Sequence, residues 1–177
     1  MVINKRWVVI AGLVVIAATG AFWRLGMSAA PVPTRPGTGH VGLEWRGRFL
    51  GRAIVPATLN WCPGTRLGIL QGIARDTGVV IVFHEAAMLT RGPHPAVNPE
   101  QLSVPRPGAT AALRWTRDSA TIVGFRSHGG SVTIDSVGET ASGRFDLRMQ
   151  APGSIDTLVL RGVFDHVPVT ATAVGCS

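Results

Sequence analysis

The residues that could do chemistry are few. His84, Glu85 and His94 fall close together, and imidazole with carboxylate is a donor set a metal can use. They lack the i, i+4 helical pairing of an H-E-x-x-H site, and the sequence reading takes them as surface polar residues. No G-x-S-x-G elbow accompanies the serines and five histidines, so there is no hydrolase signature. C-x-x-C-H, the attachment signal for covalent haem, does not occur, nor does a strand-to-helix unit that would carry a phosphate loop. Asp146, Asp156 and Asp165 sit in or beside the last two strand-like segments, where alternation places Asp146 opposite the apolar face. Trp45, Trp61 and Trp115 lie in three different segments, as core or interface residues or as the lining of a binding pocket. The expectation is a protein without catalysis and without a metal or cofactor held by its own residues.

Two cysteines, Cys62 and Cys176, stand far apart. Outside the cytoplasm such a pair reads as a disulfide that ties the C-terminus to the strand around Trp61. Two buried free thiols are the alternative.

The elements around these residues begin with an apolar run. Trp7–Leu25 reads WVVIAGLVVIAATGAFWRL, with no charge before Arg24. Nineteen residues in a helix span roughly 28 Å, close to the hydrocarbon thickness of a bilayer. Trp7 and Trp23 bracket the run at the expected membrane interfaces, and Lys5 and Arg6 precede it, which orients the N-terminus to the cytoplasm and the rest to the periplasm. The run is longer than a usual signal-peptide core, and Pro31 follows the small triplet Ser28-Ala29-Ala30, disfavouring cleavage there. A cleaved leader cut before Ala29 is the alternative to an uncleaved single-pass anchor. Gly12, Ala17, Ala18, Gly20 and Ala21 would let a neighbouring helix approach closely. No His, Asp, Glu or Lys lies between Trp7 and Trp23, so this helix offers no proton relay and no imidazole ligand.

Residues 1–25 are thus expected to be the cytoplasmic N-terminus and transmembrane helix. Residues 26–40, with three prolines and three glycines, form a tether. Residues 41–177 form a periplasmic β domain. Hydrophobic residues make up 46% of the 177-residue chain and charged residues 15%, enough for a packed core; 22 Gly and 12 Pro point to turns rather than long helices. From Val41 onward the pattern has period two. Leu67, Ile69, Gln71 and Ile73 share one face; Val79, Ile81 and Phe83 return after a turn at Asp76-Thr77-Gly78. Val132 and Ile134, then Phe145, Leu147 and Met149, then Leu158, Leu160 and Phe164 carry later strands. Eight or nine short strands without an amphipathic helix predict a mainly β fold, an antiparallel sandwich or a partly open barrel. Over 85–110 the alternation stops and prolines accumulate, which predicts a long loop, either crossing one end of the domain or laid on a partner.

Residues 26–177 carry 14 Arg and no Lys against 10 acids. Arg46, Arg48 and Arg52 fall in one hairpin region, Arg114, Arg117 and Arg126 in another. No aromatic-interleaved basic run appears, which excludes nucleic acid as the expected partner. The charge fits a solvated face, or attraction to anionic lipid headgroups or an acidic protein surface.

The anchor followed by GLEWRGRF (42–49), NWC (60–62), SGRFDLRM (142–149) and TLVLRGVFDHVPV (157–169) resembles periplasmic β domains of uncharacterised bacterial proteins. The layout is also similar to the small single-span subunit found with some bacterial photosynthetic reaction-centre and light-harvesting complexes. That resemblance rests on architecture and implies a photosynthetic inner membrane, reaction-centre and antenna polypeptides as partners alongside the bilayer, and peripheral contact with pigments or lipids. It carries no functional residue onto this chain, and the helix lacks the histidine an antenna polypeptide needs to ligate bacteriochlorophyll.

Overall fold

In the computed structural model the described residues are 39–171. The expected transmembrane helix with its packing residues Gly12, Ala17, Ala18, Gly20 and Ala21 and interfacial Trp7 and Trp23, most of the tether, and Cys176 lie outside them.

Alternation of apolar and polar side chains generates nine strands: β1 (His40–Gly47), β2 (Leu50–Cys62), β3 (Leu67–Ala74), β4 (Thr77–His84), β5 (Gly92–Pro95), β6 (Gly108–Asp118), β7 (Thr121–Val137), β8 (Thr140–Gln150) and β9 (Thr157–Ala171). Eight of them run up and down, each antiparallel to the next, and β9 returns to pair with β1, with Val41 opposite Phe164 and Trp45 opposite Leu160. The result is a closed barrel rather than a sandwich or a partly open one. Closure removes both free edges, whose unpaired N–H and C=O groups would otherwise need water or a partner.

Long strands accommodate the stagger that closure demands. β2 pairs with β1 through its first half and with β3 through its second. Beyond the start of β1, β2 meets β9 directly in a short parallel ladder, Leu59 to Trp61 beside Val169 to Ala171. β7 pairs with β6 at its beginning and with β5 further along.

One face of each strand fills the interior: Leu59, Leu70, Ile81, Phe83, Leu113, Leu147, Leu160 and Phe164 are wholly buried. Burying side chains of this size stabilises by about 1.5–3 kcal/mol each. Space for the rings comes from glycines on the adjoining strand. Gly143 faces Phe164 and Gly162 faces Phe145 across β8 and β9, and a Cβ at either glycine would overlap the opposing ring. Glycine also explains where the alternation misleads in β3. The inward face is Gly68, Leu70 and Gly72, while Gln71 and Ile73 point outward. A Cβ at Gly72 would press on Val55 and Val79, and one at Gly68 on Leu89 and Phe83. The larger side chains of this strand are the ones the core has no room for.

The segment expected to be a loop over 85–110 is more ordered than that. It contains β5, and β6 already begins at Gly108. Pro93 and Pro95 fit in β5 because that strand pairs on one side only, with β7. Ala96 N–H donates to Gly130 and Val97 N–H to Ala109; Leu89, His94 and Ala96 are buried against the barrel. The expected tether is shorter at its end, since His40 pairs with Pro56 and Asp165.

Four hairpins, β1–β2, β3–β4, β6–β7 and β8–β9, turn at one end of the barrel. The opposite end holds the β2–β3 and β7–β8 turns and the points where the described chain enters and leaves; the 85–107 segment starts and ends there, but its Asn98 and Glu100 reach Gln150 and Gly153 of the β8–β9 hairpin.

Candidate functional site

Two of the three strand tryptophans meet. β1 and β6 are not neighbours, yet the inward positions near the hairpin end bring Trp45 and Trp115 together across the barrel mouth, their ring centres 5.2 Å apart at 28°. Trp115 in turn stacks on Phe125, 5.7 Å away and nearly coplanar in orientation at 3°. Phe49, from the β1–β2 hairpin, meets Trp115 edge-on. Arg48 and Arg117 place their guanidinium carbons 5.8 and 5.9 Å from the Phe49 ring centre, within cation–π range. Trp45 lies over Gly51, where a Cβ would collide with the indole. Its Nε1 is the one buried side-chain nitrogen or oxygen without a hydrogen-bond partner among the described residues. Such an orphan donor is costly to leave dry and favours an acceptor brought in from outside.

Trp61 is not part of this cluster. It sits towards the other barrel end, opposite Gly68 on one side and Ala171 on the other, half-buried against the core. Cys62 follows it, buried at the end of β2. Because β9 runs alongside Trp61, the chain that continues to Cys176 departs from a point beside Cys62.

Glu85 and His94 are not surface residues, contrary to the expectation. Both are almost fully buried, and Glu85 Oε1 lies 2.8 Å from His94 Nε2. The Thr90 N–H and hydroxyl also donate to the carboxylate, at 2.9 Å and 3.1–3.2 Å. His94 Nδ1 lies 3.1 Å from the Gly92 carbonyl. A carbonyl only accepts, so the Nδ1 contact is made with Nδ1 as the donor. Phe83 packs edge-on against the imidazole. His84, next in the strand, points the other way towards Thr110. Burial, and secondarily the Arg106 charge, lowers its pKa below the ordinary 6.5. Adjacent residues on a strand face opposite sides, which is why His84 cannot join Glu85 and His94. Among the described residues no group of three or more His, Cys, Asp or Glu could hold a metal ion.

The three aspartates are salt-bridge or turn residues. Asp146 accepts from Arg161, Asp156 from Arg48, and Asp165 from the Ser142 hydroxyl. Hydrogen bonds from His166 and then Ser142 hold the Asp165 carboxyl below the usual range. A shallow cleft of about 140 Å³ lies between Asn98 and Glu100 on one side and His128, Gln150 and Gly153 on the other, with the Arg126–Glu100 ion pair in its wall. It is smaller than the roughly 300–1,000 Å³ of ordinary small-molecule sites.

The sequence places Trp45 and Trp115 in different strands as core or interface residues or pocket lining, and nothing in their spacing of seventy residues signals that they stack. Phe49 and Phe125 were not anticipated, and the only available signal was the aromatic residue beside each arginine-bearing hairpin. No family model, no curated protein and no solved structure matches this chain.

Proposed function

We propose that this chain is a non-catalytic, membrane-anchored structural subunit that stabilises a membrane protein complex. In this reading the helix expected over 7–25 packs among neighbouring helices and the barrel stands on the periplasmic side of the inner membrane. The observation that carries it is the barrel interior, which is filled by its own side chains. A filled barrel leaves its outer wall and its two ends as the contact surfaces, as a subunit that works by packing requires. The resemblance noted above supplies the candidate complex, a photosynthetic reaction centre with its light-harvesting polypeptides, with pigments or lipids touched only peripherally.

Gentle detergent extraction from the native membrane through a C-terminal tag, followed by mass spectrometry and an absorption spectrum, tests this. Co-migration with pigmented reaction-centre and antenna polypeptides is the expected result. A colourless, monomeric protein would overturn it.

A second reading has its own support. The Trp45–Trp115–Phe125 stack with the unpartnered Trp45 Nε1 suits a tethered periplasmic binding module for a ligand or envelope component. That reading predicts ligand-dependent quenching or shift of tryptophan emission that is lost in Trp45→Phe.

A further inference from the structure

Each of the four hairpins at one barrel end presents an aliphatic side chain to solvent. Leu50 is 78% exposed, Ile73 54%, Ile122 70% and Ile155 93%, and they belong to the β1–β2, β3–β4, β6–β7 and β8–β9 hairpins respectively. A single exposed aliphatic residue needs no explanation. One per hairpin, all at the same end, forms a ring of apolar tips that the topology gathers from a hundred residues of sequence. The other large exposed apolar side chains lie elsewhere: Ile54 and Val163 flank Gly42 on the outer wall, Val159 is further along β9, and Met88 and Leu102 belong to the 85–107 segment.

Charge is distributed with the same asymmetry. Divided at the strand midpoints, the hairpin half of the described barrel has nine arginines against five acidic residues, and the other half has four against five. The net positive charge of the described residues therefore resides at the end that carries the apolar tips. Arg48 and Arg117, held over Phe49, flank that mouth, and the half-buried Trp115 lies just beneath. Aliphatic tips with arginines set behind them are in the order that an anionic membrane interface takes them, acyl boundary first and headgroup phosphate next.

We infer that the hairpin end of the barrel docks on an anionic phospholipid surface. Leu50, Ile73, Ile122 and Ile155 enter the acyl boundary, and the arginines meet the phosphates. The inference rests on the barrel alone and is independent of which complex, if any, the chain belongs to.

The test uses the full chain held in phosphatidylcholine nanodiscs, mixed with vesicles of phosphatidylcholine with or without phosphatidylglycerol, and read by co-sedimentation. The expected result is binding to the phosphatidylglycerol vesicles only, weakened by added salt. Leu50→Ser/Ile122→Ser/Ile155→Ser and, separately, Arg48→Glu/Arg117→Glu should each weaken binding at least about tenfold. The lipid and salt dependence of the unsubstituted chain tests the inference without any variant. Equal binding to uncharged vesicles, no binding to either, or full retention by a folded triple-serine variant would overturn it. So would self-association without vesicles that the same substitutions abolish, which would assign the tips to a second copy of this chain.

Discussion

His94 Nε2 and Glu85 Oε1 lie 2.8 Å apart, within hydrogen-bond distance, at a place where both side chains are almost fully buried. The pair locks the start of the 85–107 segment to β5, because Glu85 follows directly on β4 and His94 lies within β5.

Removing His94 leaves the buried Glu85 carboxyl with only the Thr90 N–H and hydroxyl as partners, so His94→Leu is expected to lower stability by about 3 kcal/mol. Glu85→Leu/His94→Leu, which removes both polar groups, should recover a substantial part of that loss. Urea-unfolding midpoints of the two variants, read beside the parent chain, check the order. Equal destabilisation would show that the pair acts through packing against Phe83 rather than through its hydrogen bond.

The glycine–aromatic pairs of β8 and β9 predict a second effect. Gly162→Ala should cost about 1–3 kcal/mol, since its methyl group must displace the Phe145 ring and meets the Gly42 carbonyl. Phe164→Ala should cost about 3–5 kcal/mol through the cavity it leaves. Thermal melts with intact far-ultraviolet strand signal would verify both.

His84 predicts the pH response. Its pKa is lowered on folding, by burial first and then by Arg106, so the unfolded chain binds the proton more readily. Its contribution to stability is therefore fully present above pH 6.5 and is lost as the pH falls from there through the folded-state pKa. Replacing it with glutamine should flatten the stability slope immediately below pH 6.5 while leaving the plateau above it in place. An unchanged slope in His84→Gln would assign acid sensitivity to another group.

The cysteines give a fourth prediction. With β9 passing beside Trp61, a bridge between Cys62 and Cys176 would close a loop of about a hundred residues and stabilise by at most ~4.7 kcal/mol. The expected outcome is no reactive thiol in the unfolded, unreduced chain and two after reduction. Two thiols before reduction would establish free cysteines.

Strand periodicity by itself determined that the domain is mainly β, and it set Phe145, Leu147 and Met149 on the apolar face of β8, because in a sheet side chains alternate whatever the neighbours are; in β4, where Val80 and Val82 are apolar too, it left the inward face open. It misassigned β3, where glycine faces the core and the pattern of large residues follows the wrong side. Whether nine strands make a sandwich or a barrel depends on β9 pairing with β1, a contact between segments over a hundred residues apart that no local pattern encodes. The same holds for Trp45 on Trp115, for Glu85 beside His94, and for the ring of hairpin tips. Composition and alternation are properties of neighbours along the chain, and they specify which way each side chain faces. Only closure of the barrel decides which of those side chains meet, because register and stagger are set by how the strands fit around one shared core.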